Sequence, residues 1–253
     1  MTILEKIVEQ KKIEIAGLKP DMMTVHKRNF VRPSFRKNIH GNEIRIIAEI
    51  KKASPSRGIL IEDFHPVRLA ESYFNGGASA LSVLTDEKFF QGHLQFLDDV
   101  SALNLLPTLR KDFIIDSRQI EEAYIHGASA VLLIAAILND EQLHSLYRLA
   151  QMLKLDVLVE VHDKQELTRV LRLDNPIIGV NNRNLHTFET SLENAIELVK
   201  FIPSDLTKVT ESGIFTCEDM IRMEDAGYHA ALIGESIVKS GNPGAKLKEL
   251  LGQ

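Results

Sequence analysis

What most constrains this chain is a rhythm. Eight short apolar runs recur about every 20–35 residues, with longer amphipathic stretches between them. The runs are 44–51, 80–85, 106–113, 130–134, 156–161, 176–181, 208–212 and 230–234. That spacing is the size of one βα unit. Runs this apolar suit a parallel sheet whose outer face is covered by helices. At 253 residues the chain is near the ~250 of one α/β barrel and too short for two.

Three segments echo one another. Gly77, Gly127 and Gly227 each end a helical pattern just before a strand. Glycine at a helix C-terminus takes the left-handed conformation without a Cβ clash, so these mark αβ loops. Eight such units close into a barrel or form an open doubly wound sheet. An open sheet usually carries one glycine-rich phosphate loop after its first strand. Here polar residues sit at the ends of nearly every strand, which is the barrel pattern. The expected fold is a one-domain α/β (β/α)8 TIM barrel over 1–253. Residues 1–42 form an N-terminal helical extension, whose stripe of Ile3, Leu4, Ile7 and Val8 packs on the barrel.

Side chains alternate along a strand, so parity decides which residues share a face. Ile47, Glu49 and Lys51 share the inward parity of the first strand; Ile46, Ala48 and Ile50 face the helices. The third strand brings Leu109, Lys111 and Phe113 inward, and the fifth Leu158 and Glu160. The sixth brings Ile177, Gly179 and Asn181, and the seventh Val209 and Glu211. A single inward charge reads as a structural ion pair. Five strands delivering Lys, Glu or Asn to one level read as an active site.

Ser212-Gly213 and Gly234-Glu235-Ser236 follow strands seven and eight, where many barrels hold phosphate on backbone N–H groups. Ser54 after strand one and Arg183 after strand six add hydroxyl and guanidinium donors. Phe90, Phe113, Leu132, Leu185 and Ile233 fall near the same rim; such residues are usually core, but a flat pocket for an aromatic ligand needs them.

The net charge of −5 and the lack of a long basic run argue against a nucleic-acid partner. The lone Cys217 allows no intrachain disulfide, which favours a reducing compartment. The first 20 residues lack a signal peptide's apolar core, and no run nears the ~18 residues of a membrane span, so the expected location is cytoplasmic. Nine scattered histidines form no metal motif, so neither metal nor cofactor is expected.

The segments IIAEIKKASPSRG (46–58), LSVLTDEKFFQG (81–92), LRKDFIID (109–116), LVEVHD (158–163), IGVNNRNLHTFE (178–189), ESGI (211–214) and LIGES (232–236) resemble indole-3-glycerol phosphate synthase of tryptophan biosynthesis. The resemblance implies ring closure of 1-(2-carboxyphenylamino)-1-deoxyribulose 5-phosphate to indole-3-glycerol phosphate, carbon dioxide and water. It implies Lys111 as general acid, its pKa lowered toward neutrality in a partly apolar cavity. It implies Glu160 and Glu49 as carboxylate catalysts. Lys51 is a second acid or the cation for the substrate's benzoate. Asn181 and Glu211 bind the sugar hydroxyls, and Arg183 holds the ligand. The expected partner is the phosphorylated substrate alone, bound by a monomer with weak association to enzymes of the same pathway. Three alternatives stay open at this level: phosphoribosylanthranilate isomerase, a Schiff-base aldolase and an inactive binding barrel.

Overall fold

The computed structural model describes residues 2–18, 32–184 and 189–253. Eight parallel strands close into a barrel in chain order: β1 (Arg45–Ile50), β2 (Ala80–Leu84), β3 (Thr108–Lys111), β4 (Ala130–Ile134), β5 (Asp156–Val161), β6 (Ile177–Asn181), β7 (Lys208–Glu211) and β8 (Ala230–Ile233). Each falls inside an apolar run, and β8 closes onto β1 through Arg45–Ala230 to Ala48–Ile233. Helices separate the strands, as the amphipathic stretches predict. Gly77, Gly127 and Gly227 have φ of +93°, +83° and +97°, so they do end those helices in the left-handed region.

The parity of β1 splits the core in two. Ile46, Ala48 and Ile50 join the large layer between sheet and helices. Ile47 joins Leu109, Leu132, Leu158, Ile177 and Val209 inside the barrel. Interior residues of such barrels stack in layers, so the lumen is packed and not a pore.

Among the described residues the N-terminal extension supplies two helices, one to each end. Helix α1 (Ile3–Ala16) starts in a capping box: Thr2 Oγ1 accepts from Glu5 N at 3.2 Å, and Glu5 Oε2 accepts from Thr2 N at 2.7 Å. It lies at the C-terminal mouth, where Ile3, Leu4 and Ile7 line the cavity. Helix α2 (Phe35–Ile39) plugs the opposite end. Phe35 and Ile39 are fully buried in the interior cluster. The start of α2 is held by Asp156 of β5, whose Oδ2 accepts from Arg36 N at 3.0 Å.

Candidate active site

Barrel register assembles the site. Glu160 on β5 pairs with Gly179 on β6, and Asn181 on β6 pairs with Glu211 on β7. Leu232 on β8 pairs with both Glu211 and Ile47. Glu49, Lys51, Lys111, Glu160, Asn181 and Glu211 all line one cavity at the C-terminal end of the strands. Five separate strands therefore converge, as parity predicts.

Lys111 is the centre of the charge. Its Nζ lies 3.5 Å from Glu160 Oε2 and 3.9 Å from Glu211 Oε2. Glu160 Oε1 accepts from Asn181 Nδ2 at 3.1 Å. Lys51 pairs directly with Glu49. The expectation that the cavity lowers the pKa of Lys111 is overturned. Burial does push it down, but Glu160, Glu211 and Glu49 outweigh that, and the ammonium is held above its ordinary range.

The same crowd splits the glutamates. Burial raises both Glu160 and Glu211. Lys111, His162 and Asn181 pull Glu160 well below the usual carboxylate range. Glu211, facing Glu160 and Glu49, is left raised. Its Oε1 is buried without a hydrogen-bond partner among the described residues, so it is poised for a ligand.

Two glycines make room for these acids. A Cβ on Gly179 would collide with the Glu211 carboxylate, and one on Gly234 with the Glu49 carboxylate. Any larger residue would displace a charged group from the cavity.

The apolar wall is Phe90 and Phe113, whose ring centroids stand 5.9 Å apart at 35°. Ile233 lines the cavity beside them. Leu132 does not: it packs in the interior layer, and Ile134, two residues further along β4, reaches the cavity instead. Leu185 lies outside the described residues.

The same cavity is also lined by Ser54, Arg183, Ser212, Gly213, Gly234, Glu235 and Ser236. Ser212 and Gly213 have φ of +66° and +85°. A serine in the left-handed region is uncommon and marks a constrained turn. Ser236 Oγ donates to Ile214 O at 2.9 Å, tying the turns after β7 and β8 together. Short turns and a helix start of this kind bind anions through backbone N–H groups. Glu235 faces Arg57 at 3.2 Å, Arg183 at 3.6 Å and Lys239 at 2.7 Å. Its carboxylate thus gathers cations at the mouth and is held below its ordinary pKa by Lys239, Arg57 and Arg183, against burial.

Sequence reasoning missed Lys11. On α1 it reads as one of several surface lysines. It is buried, with its Nζ 2.9 Å from each of Asp86, Asp112 and Glu14. Asp86 Oδ1 in turn accepts from Phe89 N and Phe90 N, fixing the short helix that carries the Phe90 ring. Lys11 therefore fastens α1 to the aromatic wall and to the residue after Lys111. Arg57, within the β1 loop, was missed as well.

Comparison with known proteins agrees in sequence and in fold. The family model of indole-3-glycerol phosphate synthase matches residues 4–250. An indole-3-glycerol phosphate synthase of Polaromonas naphthalenivorans (strain CJ2) is 47% identical over 261 residues, covering 99% of both chains. One from Priestia megaterium is 46% identical over 253 residues, covering 99% of this chain and 98% of its own. A solved 3-hexulose-6-phosphate synthase superposes with a TM-score of 0.67 at 15% identity, covering 83% of this chain and 99% of that one. A mutant tryptophan synthase α-subunit of Pyrococcus furiosus gives 0.64 at 12%, covering 85% and 99%. At such identities the solved structures speak for the fold alone.

Proposed function

Since the chain belongs to the indole-3-glycerol phosphate synthase family, we propose that the cavity at its β-strand C-termini is where that reaction runs, with Lys111 as the first general acid. The activity is the decarboxylating ring closure and dehydration of 1-(2-carboxyphenylamino)-1-deoxyribulose 5-phosphate to indole-3-glycerol phosphate, carbon dioxide and water. The isomerase and aldolase alternatives are set aside on that ground.

One observation carries the site reading: Lys111 and Glu160, 3.5 Å apart, line one cavity with the Phe90–Phe113 pair and the turns after β7 and β8. The substrate's ring lies against Phe90 and Phe113, and its phosphate on the turns after β7 and β8, with Ser54 and Arg183 nearby. Lys51 meets the benzoate carboxylate. The ring carbon bearing that carboxylate attacks the ketone, and Lys111 gives its proton to the ketone oxygen. The ring nitrogen becomes an iminium. Carbon dioxide then leaves, and the electrons of the broken C–C bond return to the nitrogen. That internal sink makes a cofactor unnecessary.

Dehydration breaks the C–O bond of the new hydroxyl. An acid protonates the departing oxygen, and a base removes a proton from the neighbouring carbon. Glu160 takes the base's part because it is held ionised. Lys51, paired with Glu49, is the second acid. Asn181 and Glu211 hold the sugar hydroxyls. Removing one positioned acid or base costs about 10²–10⁴-fold in rate.

The proposed setting is a monomeric, one-domain enzyme in the cytoplasm, in weak association with neighbours in its pathway. No described helix is long and apolar enough to cross a membrane. A fluorescence assay for indole-3-glycerol phosphate, with purified protein in the presence of a chelator, tests the whole reading. Product should form at an undiminished rate. Dependence of that rate on added metal would contradict the scheme.

A further inference from the structure

The cavity holds more negative than positive charge. Glu49, Glu160, Glu211 and Glu235 line it with Lys51, Lys111 and Arg183; Lys51 is engaged by Glu49 and Arg183 by Glu235. Lys111 alone is left to serve both Glu160 and Glu211. Two buried carboxylates facing one ammonium cannot both ionise cheaply, so where the Glu160 carboxylate is held relative to Lys111 matters.

His162 stands against the Glu160 carboxylate. It follows β5 and keeps the inward parity of Leu158 and Glu160. Its Nε2 lies 3.2 Å from Glu160 Oε1, an ion-pair contact without hydrogen-bond alignment. Its Nδ1 lies 3.1 Å from Glu166 Oε2, and that oxygen also accepts from His162 N at 2.8 Å. Asn194 Nδ2 donates to His162 O at 3.2 Å. Glu166 is fixed by Asp163, which caps its helix. His162 is thus braced from behind and in ion-pair contact with one oxygen of Glu160. It lines the adjoining cavity and not the one holding the reacting groups.

We infer that His162 is a positioning residue: braced by Glu166 and Asn194, its ring holds the Glu160 carboxylate in place beside Lys111. This rests on Glu160 being the base proposed above. Burial pushes the ring toward its neutral form, but Glu160 and Glu166 together hold it protonated, up to about 10. Other charged groups face it less closely. Lys111 and Glu211 lie beyond Glu160, and Glu5, Glu9, Asp163, Arg183 and Glu189 share the adjoining cavity.

The test compares His162→Ala, His162→Gln and Glu160→Gln in the full chain. His162→Ala should lower kcat on the order of tenfold with KM within about twofold. The acid limb of its kcat profile should move up by about one pH unit. His162→Gln keeps a donor without the charge; it should recover part of kcat and leave the limb displaced. Glu160→Gln should lose turnover. Wild-type kcat and an unmoved limb in His162→Ala, beside an inactive Glu160→Gln, would overturn this inference and leave Glu160 as the base. Wild-type turnover in Glu160→Gln would overturn the catalytic reading itself. Nitrogen-15 spectra of the wild-type histidines give a check independent of any variant's folding. His162, assigned through its backbone, should carry protons on both ring nitrogens at pH 8; a neutral ring there would refute the inference.

Discussion

The two mouths of the barrel use the same inward-facing positions for opposite purposes. At the N-terminal end, Phe35 and Ile39 of α2 close the lumen against Ile47, Leu109 and Leu158. At the C-terminal end, two residues further along the same strands, stand Glu49, Lys111 and Glu160. One step of inward parity, about 7 Å along a strand, separates a dry core from a charged cavity. Each helix of the N-terminal extension matches the end it covers. Helix α2 brings a phenylalanine plug, while α1 brings a buried lysine along with its apolar stripe. The lower end supplies stability that the upper end spends on crowding like charges.

The contrast breaks if damage to either end spreads to the other. Phe35→Ala empties a fully buried site and should cost about 3–5 kcal/mol. Thermal melting should fall by roughly 6–20 °C, with kcat of the folded protein within about twofold. A collapse of kcat would show that the ends are coupled.

Lys11→Met leaves Asp86 and Asp112 buried without their shared cation. The loss should be about 3 kcal/mol, and KM should rise because the Phe90 wall loosens. An unchanged KM would show that α1 only shelters the site.

A smaller effect appears in acid. Asp112 is held down to about 2 by Arg110 and Lys11, against burial. A depressed folded pKa gives stability that is complete above the unfolded value and disappears as pH falls. About 2 kcal/mol should therefore vanish between roughly pH 4 and pH 2. Denaturant titrations should show it in wild type and lose it in Asp112→Asn. At the lower end, Asp156→Asn weakens the bond to Arg36 N and should cost only about 1 kcal/mol with activity intact.

What the sequence disclosed follows the same division. Apolar rhythm located all eight strands, and parity placed Glu49, Lys111, Glu160, Asn181 and Glu211 on one side. Parity fixes the face but not the depth. Depth depends on how strands stagger around the closed barrel, so Leu132 was expected at the rim where Ile134 stands. Lys11 was hidden because a lysine on an amphipathic helix reads as solvent-facing; only tertiary placement brings two aspartates to it. The protonation of Lys111 was misjudged for a related reason. Burial was foreseeable from one strand, but the three glutamates that outweigh it come from three others. His162 escaped notice because its partner Glu166 sits on the following helix.

The most direct test is single-turnover and steady-state kinetics of Lys111→Ala, paired with its melting temperature. If one ammonium between Glu160 and Glu211 starts the chemistry, kcat should fall about 10²–10⁴-fold. The protein should stay folded, with the melting temperature lowered by roughly 6–12 °C because Glu160 and Glu211 lose their shared cation, as Asp86 and Asp112 do in Lys11→Met. Wild-type-like turnover in a folded Lys111→Ala protein would contradict the account.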